Sequence, residues 1–242
     1  MEQYARILKL INEATLKKIQ DKNIAIVGIG GVGGYALEAL TRFGIKNITI
    51  IDNDTVDISN LNRQIISSHE VLEQNKTDVA KRRMLSINPT GNYITYNVFL
   101  NQDNLEEYIS KDTDFILDCC DTVTTKMALI KYAKYHNIPI ICAMGTGNRL
   151  DPTKLIVTDI YKTNNDPLAK IMRKLCKDSK IKKLDVVTSI ELPIKTHDRT
   201  PGSTPFVPSV AGIYMASFIV NRWLKEENKL NKKEINIMKC TL

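Results

Sequence analysis

Short apolar runs alternate with longer amphipathic stretches over the first two thirds of the chain. Asn23–Val27 (N-I-A-I-V) and Asn47–Ile51 (N-I-T-I-I) are β-branched and brief, and Tyr93–Val98 alternates polar with apolar positions. Phe115–Leu117 and Ile138–Cys142 are short and apolar. Runs of this length and composition read as strands. Between them, Tyr35–Phe43, Lys76–Ile87 and Thr122–His136 read as helices, the second stopped by Pro89. Tyr4–Ile11 and Glu13–Gln20 read as two short helices ahead of the first strand. Strands that alternate with helices at this spacing predict an α/β fold: a Rossmann-like, mostly parallel sheet with helices on both faces.

After Met144 the pattern changes. Leu155–Ile160 and Asp185–Ile190 are strand-like and separated by a basic helical insert, Pro167–Lys180, so they read as a mixed or antiparallel extension of the same sheet. Glu191–Pro208 is rich in Pro, Thr and Ser and reads as a surface loop near the site. Ser209–Leu224 is a strongly apolar helix that carries the only tryptophan, Trp223, and a charged tail follows from Lys225. No repeat and no linker interrupts the chain, which reads as one domain. Residues 1–22 form its N-terminal helices, 23–145 its nucleotide-binding part, and 146–242 the sheet extension, basic insert, loop and C-terminal helix.

Composition narrows the class. With 43% hydrophobic and 25% charged residues over 242 positions, the chain can bury a substantial core. No apolar run approaches the length of a membrane span and the first twenty positions mix charged with apolar residues, so a cytoplasmic protein without a membrane partner is expected. Cys119, Cys120, Cys142, Cys176 and Cys240 are odd in number and lack C-x-x-C spacing, which argues against a disulfide framework and against zinc. A net charge of +7 suggests an anionic partner.

The chemistry starts at the end of the first strand. Gly28, Gly30 and Gly33 have G-x-G-x-x-G spacing between a strand and a helix, an arrangement that sets backbone N–H groups and a helix N-terminus against phosphate. Alone, such a turn also serves close packing of helix on strand. Asp52, directly after the second strand, is placed to accept hydrogen bonds from a ribose. A long polar segment, Asp52–Gln64, follows where a plain dinucleotide fold would enter a helix. Within it Arg63 is suited to grip polyphosphate, the alternative being a solvated loop arginine. Lys76 at a helix start opposes the helix dipole and is easily explained if it faces an anion. Asp118 and Asp121 bracket D-C-C-D after the fourth strand; two acids beside phosphate require a cation, and magnesium on ATP would supply it. Asp121 also reads as a helix N-cap. Such a set suits attack on an α-phosphate better than hydride transfer.

G-I-G-G-V-G, I-D-N-D, S-N-L-N-R-Q, Lys76, I-N-P and D-C-C-D together resemble the superfamily of ubiquitin-activating-like adenylating enzymes. A-M-G-T-G-N-R-L-D-P-T, D-P-L-A-x-x-M-R and P-G-S-x-x-F-V-P extend the likeness to the bacterial tRNA threonylcarbamoyladenosine dehydratases, over nearly the whole chain. The resemblance implies ATP-dependent cyclisation of threonylcarbamoyladenosine beside the tRNA anticodon, through an adenylated threonyl carboxylate, with AMP and pyrophosphate released. It implies that Gly28, Gly30, Gly31 and Gly33 cradle the nucleotide with Asp52, Asp54 and Asn60 beside them. Arg63 and Lys76 would hold phosphates and Asp121 magnesium, these three being the catalytic set. Arg6 would reach the nucleotide of a second copy, so a homodimer is implied. The paired C-x-x-C zinc cysteines of the sulfur-carrier activators are absent, and their catalytic thiol has no counterpart. Cys119 and Cys120 read as small residues after a buried strand.

RNA leaves its own trace. Lys170, Arg173, Lys174, Lys177, Lys180, Lys182 and Lys183 face a single acid, Asp178, in that stretch, and phosphate contact is the favoured reading over a solvated helix face. Arg149 is expected to reach the RNA as well. The alternatives are adenylation of a ubiquitin-like carrier's C-terminus, a nucleotide sensor without chemistry, and a nicotinamide oxidoreductase. A sulfur-relay or carrier protein is a further candidate partner.

Overall fold

Alternation along the strands decides the architecture. In the computed structural model, which describes residues 2–196 and 200–240 and side chains as far as residue 227, seven strands form one sheet. They are β1 (Asn23–Val27), β2 (Asn47–Ile51), β3 (Asn92–Tyr96), β4 (Phe115–Asp118), β5 (Ile140–Ala143), β6 (Leu155–Asp159) and β7 (Asp185–Ser189). Successive side chains of a strand point to opposite faces. Ile24 and Ile26 of β1 join one apolar cluster and Ala25 and Val27 the other; Leu117 and Ile116 of β4 divide in the same way. Both faces of the sheet are therefore apolar and both need covering.

Helices supply the cover. α1 (Glu13–Gln20), α2 (Gly33–Phe43), α3 (Lys76–Ile87) and α7 (Phe206–Cys240) contribute to one cluster. α4 (Leu105–Tyr108), α5 (Val123–Tyr135) and α6 (Pro167–Asp178) contribute to the other. α7 buries Ala211, Met215 and Ile219 along one stripe, and Trp223 meets Phe115 edge to face with ring centroids 6.3 Å apart. No helix among the described residues is long and apolar enough to cross a membrane.

The strand order is β3-β2-β1-β4-β5-β7-β6. From β1 the chain winds outward through β2 to β3, then crosses to β4 on β1's other side. A crevice opens where the winding reverses, at the carboxyl ends of β1 and β4, and open α/β sheets bind ligands there. The pairings from β3 to β7 are parallel, and only β6 runs antiparallel, against β7. The expected extension is thus one antiparallel edge strand on a parallel sheet.

Three local expectations need correction. Residues 4–11 form no α-helix: the segment holds two single-turn 3₁₀ pieces, Glu2–Tyr4 and Ile7–Lys9, none of whose residues is buried to repay an extended helix. The C-terminal helix starts at Phe206, inside the expected loop, and runs on to Cys240. The short helix α4 has no counterpart among the expected elements. Of the loop Glu191–Pro208, residues 197–199, and with them His197, lie outside the described residues.

Candidate active site

The carboxyl ends of five neighbouring strands deliver residues to one cavity of about 450 Å³. Gly28 follows β1, Asp52 follows β2, Phe99 lies beyond β3, Cys119–Thr122 follow β4, and Thr146 follows β5. The long loop after β2 adds Asn60, Arg63 and Gln64, and Ser203 and Pro208 approach from the segment before and within α7.

The glycine turn is built around two different needs. Gly28 has φ +87°, and a Cβ there would stand 2.8 Å from the backbone nitrogen of Cys120 and 2.9 Å from the Cys119 carbonyl. It is a glycine because the end of β4 is pressed against it. Gly30 is the opposite case. A Cβ on it would meet nothing of the protein nearer than Gln64 Nε2 at 3.9 Å. The protein leaves that space to the cavity, as a cradle for a guest requires. α2 begins directly beyond, and its N-cap residue, Val32, offers no side-chain acceptor to the first turn. The partial positive charge of the helix start is thus left for a ligand anion.

Charged groups line the wall next to the turn. Asp52 is anchored through both oxygens: Oδ2 accepts from the Ile29 N–H at 2.5 Å and Oδ1 from the Asp54 N–H at 2.8 Å. Burial raises its pKa above the ordinary aspartate value, against the opposing pull of Lys76 and of these N–H donors. Lys76 is buried, and its ammonium lies 2.8 Å from Asp54 Oδ2. Its partner is an acid already on the cavity wall, so the helix-start lysine is balanced before any anion enters. Arg63 Nη1 donates to the Ser59 carbonyl at 2.8 Å and to Asn62 Oδ1 at 3.0 Å, which fixes the guanidinium and, among the described residues, leaves its other nitrogens uncommitted. Asn60 is buried in a capping box with Asp57 and shapes the same loop.

Asp121 and Asp118 part company. Asp121 is exposed on the cavity wall, and the residue at the N-cap position of α5 is Thr122, so Asp121 is free of the capping role. Asp118 does not face a ligand cation. It is wholly buried and paired at 3.0 Å with Lys126 of α5, whose ammonium also donates to the Ala143 carbonyl at 2.8 Å. Burial alone would lower the Lys126 pKa, but the Asp118 charge and hydrogen bond, together with the neighbouring Cys120 and Cys142, outweigh it and the pKa is raised. Cys119 and Cys120 line the cavity, yet burial and the neighbouring Asp118 push both thiols far up, so neither is a nucleophile at neutral pH.

Two further expectations change. Arg149, expected to reach RNA, is not at the surface. It is buried, bonded to the carbonyls of Gly145, Glu191 at 3.3 Å and Asn165 at 2.9 Å, and it lies 3.8 Å from the buried Asp166. A guanidinium so enclosed ties loops together. Arg173 is half-buried and donates to the Thr163 carbonyl at 2.9 Å, whereas Lys170, Lys174 and Lys177 are exposed. Arg6 is exposed and takes no part in the cavity of its own chain. The sequence reading gave no role to Gln64, Phe99, Thr146 and Ser203, although Gln64, Thr146 and Ser203 lie inside the motifs that carry the resemblance. None carries a charge, and only the strand order brings them to one cavity.

Fold and cavity define an α/β nucleotide-binding protein with a polar, charge-lined crevice at its topological switch point. The chain belongs to the ThiF family, whose model matches residues 3–241. It is 34% identical over 244 residues to the tRNA threonylcarbamoyladenosine dehydratase of Bacillus subtilis (strain 168), covering 93% of this chain and 96% of that protein. With the enzyme of the same description from Escherichia coli (strain K12) it shares 38% identity over 176 residues, 73% of this chain and 66% of the other. The crystal structure of the E. coli tRNA N6-threonylcarbamoyladenosine dehydratase in complex with ATP superposes with a TM-score of 0.89 at 33% identity, covering 94% of this chain and 96% of that one.

Proposed function

We propose that the chain is an ATP-dependent tRNA threonylcarbamoyladenosine dehydratase that works in the cytoplasm as a homodimer. The observation that carries the reading is the space left open beside Gly30, walled by fixed charges of both signs, in a chain similar end to end to enzymes of that name. ATP fits this donor set. The glycine turn and the start of α2 receive the phosphates, the rigid Asp52 carboxylate accepts from the ribose hydroxyls, and Arg63 and Lys76 stand beside the polyphosphate. Magnesium bound with ATP at Asp121 would offset charge on the phosphate oxygens.

A threonyl carboxylate oxygen attacks the α-phosphorus and the bond to pyrophosphate breaks. Negative charge grows on the leaving oxygen, where Arg63 and Lys76 stabilise it. The ureido group of the same side chain, giving up a proton, then attacks the activated carbonyl carbon, so the ring closes and AMP leaves. The carboxylate oxygen leaves on AMP, so the nucleoside loses the elements of one water. Lys170, Lys174 and Lys177, exposed at positions i, i+4 and i+7 of α6, track the RNA phosphates. Arg6 enters the crevice of the second copy.

Incubation of the protein with ATP, magnesium and tRNA carrying threonylcarbamoyladenosine tests the reading. AMP, pyrophosphate and a nucleoside lighter by one water are expected. Unchanged nucleoside mass overturns it, and pyrophosphate formation driven instead by a carrier protein ending in Gly-Gly would transfer the site to carrier adenylation.

A further inference from the structure

Strand order lays out the cavity from one reactant to the other. Asp52 stands at the end of β2, the glycine turn at β1, Asp121 beyond β4 and Thr146 beyond β5. Neighbouring strands are about 4.8 Å apart, so the β5 end lies about 14 Å from Asp52, beyond the glycine turn. A nucleotide with its ribose at Asp52 and phosphates on the turn leaves the β5 side for the second reactant. Thr146 and Ser203 line that side. Among the described residues neither hydroxyl has a hydrogen-bond partner, although the backbone around both is tightly fixed.

Asn148 does much of the fixing. With φ +58° it donates from its backbone nitrogen to the Gly202 carbonyl at 2.7 Å, and its Oδ1 accepts from the Gly202 N–H at 2.7 Å. Its own carbonyl accepts from the Ile194 N–H at 2.8 Å. Gly147 brings the two segments together: a Cβ on it would lie 2.7 Å from Pro201 Cβ. From the other side Asn62 Nδ2 donates to the Ser203 carbonyl at 3.1 Å while Asn62 Oδ1 accepts from Arg63. Ser203 is thus tied both to the loop that carries Thr146 and to the loop that carries Arg63. Thr146 is held from beneath, where the Gly145 N–H donates to Asp166 Oδ2 at 3.0 Å. Two unused hydroxyls on so constrained a frame are placed for a ligand.

We propose that Thr146 and Ser203 donate hydrogen bonds to the threonyl carboxylate of the substrate and thereby determine its selection, and that Asn148 is a positioning residue acting through Ser203. The proposal rests on the dehydratase reading above. Neutral donors suit this role, because an ammonium would bind the carboxylate as a ground-state ion and blunt its attack, whereas a hydroxyl orients it.

The test measures ATP affinity and steady-state kinetics with modified tRNA for wild type, Thr146→Val, Ser203→Ala, the double variant, Asn148→Ala and the conservative Thr146→Ser. Loss of roughly tenfold in kcat/KM for tRNA per hydroxyl is expected, with unchanged ATP affinity. Thr146→Ser, which keeps the hydroxyl, recovers most of the kcat/KM that Thr146→Val loses, and Asn148→Ala loses no further activity in a Ser203→Ala background. Unchanged ATP binding also reports that each variant is folded. A double variant with wild-type kcat/KM, in an assay where wild type is active, overturns the proposal alone. Equal losses in ATP affinity and kcat/KM also overturn it, and an inactive wild type would overturn the dehydratase reading on which it rests.

Discussion

Lys76 with Asp54 and Lys126 with Asp118 are two pairs of the same residue types, 2.8 Å and 3.0 Å apart, at the same end of one sheet. They differ in what surrounds them. Asp54 keeps 59% of its side-chain surface, so the first pair borders the cavity and can exchange partners with a ligand. Both members of the second pair are at 0%, enclosed by the β4 end, α5 and the Ala143 carbonyl. One pair is available for chemistry, and the other holds the β4 end to α5 and so fixes the segment from which Asp121 projects.

Removing the buried cation is expected to have the largest effect. Lys126→Met takes the counter-ion from the buried Asp118, leaving it the weak Cys120 thiol donor, and should cost about 3–5 kcal/mol in urea unfolding. Adding Asp118→Asn should restore most of that. A small loss for the single variant would dissolve the distinction between the pairs. Lys76→Met should do the reverse. Its unfolding free energy should move by about 1 kcal/mol or less, because Asp54 turns to water, while turnover falls on the order of a hundredfold. An active Lys76→Met enzyme would remove Lys76 from the mechanism.

A pH titration sharpens the contrast more gently. Cys142 lies opposite Asp118 in the ladder, and burial, then the Asp118 charge, raises its thiol pKa. The unfolded thiol ionises above about pH 8.5 while the buried one keeps its proton. The native state then binds more protons than the unfolded state, so stability is complete below that pH and falls above it. The slope is about 1.4 kcal/mol per pH unit from this thiol. Cys142→Ala should flatten the decline; an equal slope in both proteins would show that Cys142 does not contribute.

What the sequence disclosed follows the same division. β1, β2 and α3 lie at the residues their local patterns predict, because β-branched runs and helix punctuation act over a few positions. Gly28, Gly30, Gly31, Asp52, Lys76 and Asp121 meet in one cavity because they lie at the ends of readable elements, and Arg63 joins them from the loop between two such elements; Gly33, expected to cradle the nucleotide, packs on the Gly28 carbonyl instead. Asp118 escapes a local reading because its role depends on a lysine one helix away. The available signal is Lys126 itself, set among Thr125, Met127 and Ala128 on a buried face, where a lone ammonium must have a counter-charge. Arg149 escapes it likewise, since three carbonyls from separate loops enclose it and no local pattern announces them. Thr146 and Ser203 are far apart in sequence and are joined by the contacts of Gly147 and Asn148 with Pro201 and Gly202 and by the winding of the sheet.

The path of one oxygen tests the adenylation chemistry most directly. tRNA whose threonylcarbamoyl carboxylate carries heavy oxygen is converted with unlabelled ATP, and the AMP is examined by mass spectrometry. Attack by the carboxylate on the α-phosphorus delivers one heavy oxygen to each AMP and none to pyrophosphate. Unlabelled AMP formed alongside cyclised nucleoside, or ADP in place of AMP, would contradict it.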